Sequence, residues 1–312
     1  MTKKISVINF KGGVGKTTLS FHLACHLPQT SKVLVVDIDH QSSLSITLLD
    51  PGRWESTVKE EDTVNRIFRS LASRNVPMPG SEIIFKKSMV YRSGGGYPNL
   101  DIVPSQFELD DTEIDLASTF IGNPTESDWE KRTLLASWLD KISSEGEYDY
   151  VIFDCPPATK IVSQNALACS DGYIVPVIPD ELSTRGVTHF VNLVNNKIDK
   201  RLEYLRNAAQ ITSPPKNYRP QTKLAAIAPY LAKSAGAATS GMTSIHTQQI
   251  AELRKRWKGS VLNSVGKNYI GVAEAMSLGI PVWDIGTANA REDVCRMMRD
   301  ICEELKQRID AL

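Results

Sequence analysis

Short, continuous apolar runs rich in β-branched residues recur along the chain, and stretches with helical periodicity separate them. Continuous apolar runs are typical of strands buried on both faces, as in a parallel sheet covered by helices. The alternation of strand and helix therefore predicts an α/β fold with a doubly wound, mostly parallel sheet flanked by helices. The predicted strands are residues 5–10, 33–38, 100–103, 150–153, 173–178, 224–228, 261–265 and 280–283.

Three stretches interrupt this pattern, and strand-like runs resume after each, so we expect a single domain over residues 1–312. Residues 51–98 begin with Pro-Gly and end in a glycine-rich tip, which predicts a surface insertion that forms an exposed loop or hairpin without function. The prolines of residues 211–221 predict a connection, because proline cannot continue a helix. The small, polar residues 233–247 predict a mobile loop.

The charges of the chain cancel, since 36 lysines and arginines face 36 aspartates and glutamates. Attraction to nucleic acid or to a membrane would then need a local basic patch. The five cysteines include no C-x-x-C pair, which favours a reduced, cytoplasmic protein without disulfides or a zinc site. No apolar run approaches the roughly 18 residues of a membrane span, and the first residues lack the apolar stretch of a signal peptide.

A glycine-rich segment, residues 10–18 with the sequence Phe-Lys-Gly-Gly-Val-Gly-Lys-Thr-Thr, lies between the first predicted strand and an apolar-periodic helix. Glycines let successive backbone N–H groups turn toward phosphate oxygens, and the start of the following helix adds positive potential. This placement predicts a phosphate-binding loop in which Lys16 contacts the β- and γ-phosphates and the Thr17 hydroxyl ligates Mg²⁺. The predicted nucleotide-binding residues of the loop are Lys11, Gly12, Gly13, Val14, Gly15, Lys16, Thr17 and Thr18.

Two predicted strands end in carboxylates. Asp37 and Asp39 close one of them, and the period of two residues places both acids on the same side of the strand. Asp154 closes the other and is followed by Cys-Pro-Pro. Ligands of doubly wound sheets bind at the carboxyl ends of the strands, so these acids should face the phosphate loop. The alternative is that Asp37 and Asp39 only cap the next helix.

The phosphate loop departs from the general P-loop pattern, because Phe10 stands where that pattern has glycine and a second lysine follows it. The order Lys-Gly-Gly-x-x-Lys-Thr at residues 11–17 resembles the deviant Walker A box of the ParA/MinD-type partitioning and positioning ATPases. The resemblance implies that Lys11 reaches across a dimer interface to the nucleotide of the other subunit. A second cation there would offset charge on the β–γ bridge. The alternative is a solvated loop lysine.

The acids after the second predicted strand also resemble this family. Residues 37–41 correspond to its Walker A′ motif, Asp-x-Asp-Pro-Gln, with His40 in place of the proline. The resemblance implies that Asp37 acts near Mg²⁺ through water and that Asp39 positions or activates the attacking water. The replacement of proline by His40 leaves the direction of the backbone after Asp39 open.

The sequence Asp-Cys-Pro-Pro at residues 154–157 resembles the Walker B region of the family. It implies that Asp154 holds a Mg²⁺-bound water or the Thr17 hydroxyl, because oxygen ligands suit a hard cation. No catalytic histidine is expected near Cys155, which favours a packed, inert thiol over a nucleophile. The predicted catalytic residues are Lys11, Lys16 and Asp39, and the predicted metal ligands are Thr17, Asp37 and Asp154.

The resemblance covers nearly the whole chain and is poorest over residues 211–260. It implies base recognition near residues 228–230, and so assigns Pro229 to the nucleotide site. It also implies contact with nonspecific DNA, which basic patches on one face of a dimer would bind in a salt-dependent way. The densest basic cluster is residues 254–258, and a solvated helix face is the alternative interpretation for it. The predicted DNA-binding residues are Arg254, Arg256, Lys258 and Lys267.

Residues 291–312 predict an amphipathic C-terminal helix. Its basic and acidic residues nearly balance, and it has no aromatic anchors, so docking on the core is favoured over membrane binding. On the first predicted helix, His22 and His26 have a spacing that suits a metal, but no third ligand accompanies them. They are interpreted as helix-surface histidines.

These features together imply a ParA-like partitioning ATPase that uses ATP and Mg²⁺, forms a homodimer around the nucleotide and hydrolyses it slowly. The ATP dimer is expected to bind nonspecific DNA and a ParB-like or adaptor partner, with no membrane, in the cytoplasm or on the nucleoid. The alternatives are a MinD-like membrane-associated positioning ATPase, a nucleotide-gated scaffold with negligible hydrolysis, and a redox iron protein of the nitrogenase-reductase type. The cysteines do not match the cluster-binding motifs of the last class.

Overall fold

The computed structural model describes residues 2–27, 30–73, 75–86, 89–90, 96–143, 148–157, 159–233 and 241–312. The strands in these residues are β1 (Lys3–Val7), β2 (Val33–Asp37), β3 (Met89–Val90), β4 (Gly96–Tyr97), β5 (Leu100–Val103), β6 (Tyr150–Asp154), β7 (Gly172–Val177) and β8 (Lys223–Pro229). Six of them form one parallel sheet in the order β5-β2-β6-β1-β7-β8, and β3 pairs antiparallel with β4. The predicted doubly wound, parallel α/β fold is confirmed.

Helices cover both faces of this sheet. In the described residues they are α1 (Lys16–His26), α2 (Ser43–Leu49), α3 (Pro51–Thr57), α4 (Asn65–Ala72), α5 (Leu109–Ser118), α6 (Pro124–Ile142), α7 (Ile161–Cys169), α8 (Glu181–Leu193), α9 (Asp199–Ala208), α10 (Ser244–Arg256), α11 (Ile270–Leu278) and α12 (Glu292–Asp310). A π-helical turn at Val194–Ile198 joins α8 to α9.

The apolar core has two layers, one on each face of the sheet. One layer packs against α4 to α9 and includes Phe68 and Trp138, whereas the other packs against α1, α2, α11 and α12 and includes Phe21 and Met298. Residues 33–36 of β2 alternate between the two layers, and all of them are buried. Burial of both faces explains why the strands are continuous apolar runs.

The carboxyl ends of the central strands lie level with one another. Asp154 of β6 pairs in register with Asp37 of β2 on one side and with Val7 of β1 on the other. The chain then leaves β1, and α1 begins at Lys16. This register places both acids next to the loop that connects β1 to α1.

The C-terminal helix packs on the core, as the sequence predicts. The apolar face of α12, including Val294, Met298 and Ile309, is buried against the layer that contains α1. Glu304 of α12 also accepts hydrogen bonds from the backbone N–H groups of Asn263 and Ser264, each at 2.9 Å.

Two of the predicted strands are wrong. Residues 261–265 contribute only one isolated bridge, between Val261 and Ile227 of β8, and the Ser264 N–H then donates to Glu304 of α12. Residues 280–283 form a turn in which the Asp284 N–H donates to the Pro281 carbonyl at 2.8 Å. Both runs are apolar because they pack against the core, and burial alone does not require a strand.

The expectation of an exposed loop is wrong for most of residues 51–98. The segment contains α3 and α4, and Ile67, Phe68 and Ile83 are completely buried in the core. The core-facing residues Val64, Ile67, Phe68 and Leu71 have helical spacing, which is a stronger indicator than the Pro-Gly and glycine-rich ends of the segment. The single-domain organisation and the surface insertion stay predictions, and residues 93–95 of the glycine-rich tip lie outside the described residues.

The two remaining irregular stretches have different outcomes. Residues 211–221 connect α9 to β8 without regular structure, as predicted. Residues 234–240 of the predicted mobile loop lie outside the described residues. The last part of that stretch begins α10, where the Thr243 hydroxyl accepts a hydrogen bond from the His246 N–H and caps the helix.

Candidate nucleotide-binding site

The loop between β1 and α1 contains two glycines with positive φ. Gly13 has φ 68° and Gly15 has φ 88°, which side chains with a β-carbon rarely adopt. A β-carbon at Gly13 would meet nothing within 4 Å, whereas one at Gly15 would collide with the ring of Tyr230. The loop is therefore open around Gly13 and closed at Gly15.

Tyr230, directly after β8, packs against the phosphate loop. Its ring is buried between Gly15 and Gly266, and a β-carbon at either glycine would collide with it. The Tyr230 hydroxyl faces the Met298 sulfur of α12 at 3.8 Å. The end of β8 and the phosphate loop therefore share one packed side chain.

Lys16 and Thr17 begin α1 and point toward the carboxylates. Burial lowers the pKa of the Lys16 amine, while the negative charges of Asp154 and Asp39 raise it. The Lys16 Nζ donates to the backbone carbonyl of Lys11 at 3.4 Å, and the Thr17 hydroxyl donates to Asp154 Oδ2 at 2.9 Å. The expected contact between Thr17 and Asp154 is thus present.

Asp37 and Asp154 form a buried acidic pair on adjacent strands. Burial raises the pKa of both carboxyl groups, and the charge of Asp154 raises the pKa of Asp37 further. Hydroxyl groups act in the opposite direction: Ser45 donates to Asp37 at 2.6 Å, and Ser20 donates to Asp154 at 2.7 Å. Two buried carboxyl groups on adjacent strands are an arrangement that a divalent cation would stabilise.

Side-chain hydrogen bonds fix the backbone after Asp39, although the proline of the family motif is replaced. The Asp39 N–H donates to Asp37 Oδ1 at 3.1 Å, and the Gln41 N–H donates to Asp39 Oδ1 at 3.0 Å. The His40 Nδ1 lies 3.8 Å from the same Asp39 oxygen. Asp39 is therefore buried close to Lys16 and Asp154. This position agrees with the prediction that the acid faces the phosphate loop.

Lys11 contacts its own chain at the start of α8. Its Nζ lies 3.2 Å from Asp180 Oδ2 and 2.8 Å from the Ser183 hydroxyl. Phe10 packs against Gly186 of the same helix, where a β-carbon would meet its ring. The first two residues of the deviant loop are thus docked on α8. The role of Lys11 across a dimer stays a prediction.

Four polar residues of this site are missing from the sequence-based prediction. Ser20 lies one turn after Thr17 on α1, and Ser45 lies eight residues after Asp37, so local spacing could have indicated both. The Asn9 amide donates to the Pro176 carbonyl and its oxygen accepts from the Lys11 N–H, which shapes the loop from a strand end. Asp180 is 169 residues from Lys11, and no local pattern indicates that contact.

The residues of the site fit Mg·ATP. The open cradle at Gly13, the buried amine of Lys16 and the hydroxyl of Thr17 are the groups that a P-loop uses for phosphates and metal. Pro229 is the last residue of β8, and its carbonyl accepts the Gly266 N–H at 2.9 Å. Its contact with the base stays a prediction.

The predicted DNA-binding residues lie in and after α10. The Arg254 guanidinium donates to the carbonyls of Leu262 and Asn263 and so holds the following segment. Arg256 and Lys258 are exposed and form no ion pair among the residues that the structure describes. Lys267 follows Gly266 and is half-buried. Contact of these residues with DNA stays a prediction.

The interpretation of His22 as a surface residue is wrong. His22 is completely buried, its Nδ1 donates to the Thr18 carbonyl at 2.8 Å, and its Nε2 accepts the Val282 N–H at 3.3 Å. Burial lowers the pKa of His22 to about 4. His26 pairs with Glu303 instead, and no group of three or more histidine, cysteine, aspartate or glutamate side chains suited to a metal ion occurs in the described parts of the chain.

Cys155 is buried, as predicted for a packed thiol, and burial raises its pKa. Among the helices that the structure describes, none has the length and apolar character needed to cross a bilayer.

The fold and the site together define a P-loop nucleotide-binding domain with a deviant Walker A loop. The AAA_31 family (AAA domain) matches residues 2–207, which is more than half of the chain. The protein therefore belongs to this family and is a P-loop protein of the ParA type.

Relatives with known names support the same family. The chain is 30% identical to the sporulation initiation inhibitor protein Soj of Bacillus subtilis over 62% of its own length and 65% of Soj. It is 28% identical to the chromosome partitioning protein ParA of Caulobacter vibrioides over 64% of its own length and 66% of that protein. The matched region thus spans slightly less than two thirds of these relatives.

Solved structures share the fold over almost the whole chain. An ATP complex of a McdA variant from Cyanothece has a TM-score of 0.68 at 20% identity and covers 98% of this chain and 96% of that one. A plasmid partition protein of Borrelia burgdorferi bound to AMPPNP has a TM-score of 0.63 at 17% identity, covering 98% and 99%. Cobyrinic acid a,c-diamide synthase of Mycobacterium smegmatis, with an ATP analogue and magnesium, has a TM-score of 0.61 at 22% identity. The match covers 97% of this chain and 93% of the synthase.

Proposed function

We propose that this protein binds Mg·ATP at the phosphate loop, dimerises around the nucleotide and hydrolyses it slowly to partition a cargo. The ATP-bound dimer binds nonspecific DNA and a ParB-like or adaptor partner. The observation that carries the proposal is the convergence of Lys16, Thr17, Asp39 and Asp154 at the carboxyl ends of β1, β2 and β6.

Each residue of this group has a distinct task in the proposal. Lys16 binds the β- and γ-phosphates as a point charge. Thr17, Asp37 and Asp154 would hold the metal site, directly or through water, because all three offer oxygen atoms. When bound, Mg²⁺ neutralises charge on the phosphates. Asp39 orients the attacking water from its buried position beside Lys16.

Slow turnover follows from the chemistry of these groups. Phosphoryl transfer depends on positioning and on charge stabilisation, and among the described residues of one chain the buried cation at the site is Lys16. The side chain of the other loop cation, Lys11, contacts Asp180 at the start of α8 in its own chain. We infer that dimerisation brings the partner subunit's Lys11 to the nucleotide, and that a partner protein raises the rate further.

The direct test is nucleotide binding, measured by titration calorimetry with ATP and with a nonhydrolysable analogue in the presence of Mg²⁺. The mass of the protein in solution, with and without nucleotide, reports dimerisation by light scattering. We expect binding of both nucleotides, a dimer with each triphosphate and slow release of phosphate from ATP alone. A monomer that binds no ATP at millimolar concentration would contradict the proposal.

The DNA part of the proposal rests on the exposed cations near the end of α10. Gel shifts with nonspecific duplex DNA should show binding with ATP but not with ADP, and binding should weaken as salt increases. Replacement of Arg256 and Lys258 by glutamine should weaken binding to all sequences equally. Replacement of Lys200 and Lys223, two exposed lysines elsewhere, is the matched control.

A further inference from the structure

A cavity of about 430 Å³ lies between the start of α9 and the segment that leads into β8. One wall includes Asp199 and Glu203 of the helix, and residues 220–224 form the other. Its volume is typical of cavities that bind small molecules. Residues 220–224 enter β8 at its amino end, whereas the phosphate loop and the buried acids lie at the carboxyl ends of the strands. The cavity is therefore separate from the nucleotide site.

Asp199 is a buried acid that the proposed ATPase mechanism does not use. The residue is only 7% exposed, and burial raises the pKa of its carboxyl group to about 7. The Thr222 N–H donates a hydrogen bond to this carboxyl group, and no lysine, arginine or histidine of the described residues forms an ion pair with it. A buried carboxylate without a cation is costly, so a positively charged ligand would stabilise it.

Two buried tyrosine hydroxyls lie near the same carboxyl group. Tyr173 of β7 is completely buried, and Tyr218 nearly so. The negative charge of Asp199 raises the pKa of both hydroxyls, so the three groups are close in space. Neither hydroxyl forms a hydrogen bond with a group in the described parts of the chain. Buried hydroxyls without a partner are rare in proteins, and a ligand with several hydrogen-bond donors would satisfy them.

The π-helical turn Val194–Ile198 determines which side of α9 faces inward. One extra residue in a helical turn rotates the residues that follow it by about 100°. After this turn, Asp199 and Leu202 are buried, and Glu203 borders the cavity. Such turns are frequent at functional sites.

Glu203 supplies a second carboxylate to the cavity. Residues four apart on a helix are about 5 to 6 Å from each other, which matches two amino groups joined by four methylene groups. The lysines of the lining, Lys200 and Lys223, are exposed, and neither forms an ion pair with Asp199 or Glu203 in the described part of the chain. Both acids are thus available to a cationic ligand.

We propose that this cavity binds an aliphatic diamine, with one ammonium group on Asp199 and the other on Glu203. An ammonium group has three donors and no acceptor. The first group donates to the Asp199 carboxylate and directs its other hydrogens to the hydroxyl oxygens of Tyr173 and Tyr218. The methylene chain contacts the apolar side chain of Leu224, which also lines the cavity. This binding is independent of the proposed ATPase function.

Two other ligands fit the cavity less well. A divalent cation takes six or more oxygen ligands, and the acids of the cavity belong to no group of three metal-binding side chains among the described residues. An anion such as phosphate would meet the lysines at the surface but would be repelled by the two carboxylates. A diamine matches both the number and the sign of the charges.

Titration calorimetry of the full chain with 1,4-diaminobutane at low ionic strength tests the site. We expect a single diamine to bind per chain, and butylamine, which has one ammonium group on the same carbon chain, to bind about 5-fold more weakly. No binding of the diamine at millimolar concentration would overturn the proposal. Equal affinity for butylamine would remove the second ammonium site.

Substitutions at the two acids locate the binding. Asp199→Asn should weaken diamine binding at least about 30-fold, because it removes a buried charge. Glu203→Gln should weaken it about 5-fold, because this residue is exposed. The matched control is Glu252→Gln on α10, which should bind as the natural protein does. Equal binding by all four proteins would place the diamine elsewhere and overturn the proposal.

Tyr173→Phe separates a ligand contact from a structural role. Because the hydroxyl has no partner in the described chain, its loss should leave the unfolding temperature of the ligand-free protein unchanged or higher. Diamine binding should nevertheless weaken about 3-fold or more. A lower unfolding temperature with unchanged diamine binding would remove Tyr173 from the site.

The pH dependence of binding provides an independent measurement. The diamine should bind about 10-fold more tightly at pH 8 than at pH 6, because Asp199 loses its proton in this range and the amines keep theirs. Asp199→Asn should abolish this dependence. The variant thereby separates Asp199 from the other ionisable groups around the cavity, which are Tyr173, Lys200, Glu203, Arg206, Tyr218 and Lys223. A dependence that persists in Asp199→Asn would contradict the assigned contact.

The lysines and other ions distinguish the remaining ligands. Lys200→Gln/Lys223→Gln should bind the diamine at least as tightly as the natural protein, because it removes like charges from the cavity. Phosphate binding that this variant loses, without diamine binding, would assign the cavity to an anion. Binding of Mg²⁺ or Ca²⁺ that Glu203→Gln loses, without diamine binding, would assign it to a metal ion. Either result would overturn the proposal.

Discussion

The Lys11 amine lies 3.2 Å from the Asp180 carboxylate of its own chain. The family resemblance assigns the same amine to the nucleotide of a second subunit, so both contacts compete for one cation. Both side chains of the ion pair are partly exposed, and such pairs contribute little to stability. The pair is therefore weak enough to be replaced when nucleotide and a second subunit are present.

Removal of the Asp180 charge should favour the ATP dimer. Asp180→Asn keeps a side chain that can cap α8 but weakens its hold on Lys11, so the dissociation constant of the ATP dimer should fall roughly 2- to 5-fold. Analytical ultracentrifugation with a nonhydrolysable analogue measures the change. The control is Glu181→Gln, which removes the charge of the neighbouring residue. This variant should leave the dissociation constant of the ATP dimer unchanged. Weaker dimerisation of Asp180→Asn would contradict the competition.

Lys16→Ala should weaken ATP binding about 100-fold, because it removes a charge-assisted contact with the phosphates. Titration calorimetry with the nonhydrolysable analogue measures the affinity. Lys200→Ala removes an exposed lysine on α9 and should bind as the natural protein does. Equal affinity of the two variants would remove Lys16 from the site.

Asp39→Ala should retain ATP binding, lower turnover about 100-fold or more and accumulate the dimer, because the water loses its orienting group. Light scattering and phosphate release in one sample test both effects. His40→Ala removes the neighbouring side chain and should change turnover only about 3-fold or less. Unchanged turnover in Asp39→Ala would refute the role assigned to this residue.

Tyr230→Ala should lower the free energy of unfolding by about 3 to 5 kcal/mol, because it opens a cavity beneath the phosphate loop. Tyr230→Phe loses only the hydroxyl contact with Met298 and should cost about 1 kcal/mol or less. Urea unfolding of both variants provides the comparison. If the alanine and phenylalanine variants were equally stable, the ring would not support the loop.

The buried His22 makes stability depend on pH. Burial lowers its pKa from the ordinary 6.5 to about 4, so between these values the unfolded chain binds a proton that the folded chain excludes. Stability from this group is present above pH 6.5 and is lost as pH falls toward 4, by roughly 2 to 3 kcal/mol at pH 4.5. The raised pKa values of Asp37 and Asp154 act in the opposite direction, since protonation stabilises buried acids.

Comparison with His22→Gln isolates the contribution of the histidine from that of the acids. The variant should lose less stability than the natural protein when the pH is lowered from 7 to 4.5 in urea unfolding. His26→Gln is the control, because His26 is partly exposed and paired with Glu303. Identical pH dependence of the natural protein and His22→Gln would show that the histidine is not buried in its neutral form.

Local patterns predict the phosphate loop and the strand-end acids because each depends on residues that are neighbours in sequence. Gly13 and Gly15 are required by the turn itself, and Asp37 and Asp154 follow from the ends of their strands. The register of β1, β2 and β6 then brings these groups together without further information, since parallel strands end at one edge of the sheet.

The incorrect predictions concern contacts between distant segments. The burial of His22 depends on the Val282 N–H, 260 residues away. Residues 261–265 and 280–283 are apolar because they pack against the core, and composition alone does not separate such packed turns from strands. Tertiary contacts, rather than local propensity, decide these cases.

The ring of Tyr230 has a consequence for how this protein can evolve. Neither Gly15 nor Gly266 can acquire a methyl group while the aromatic ring remains, and a smaller residue at position 230 leaves both glycines facing a void. The three positions are far apart in sequence but share one volume. In diverging relatives these three residues should therefore be retained together or replaced together. In a library of functional mutants, a substitution at one of the three positions should occur only together with a change at another that restores the packing.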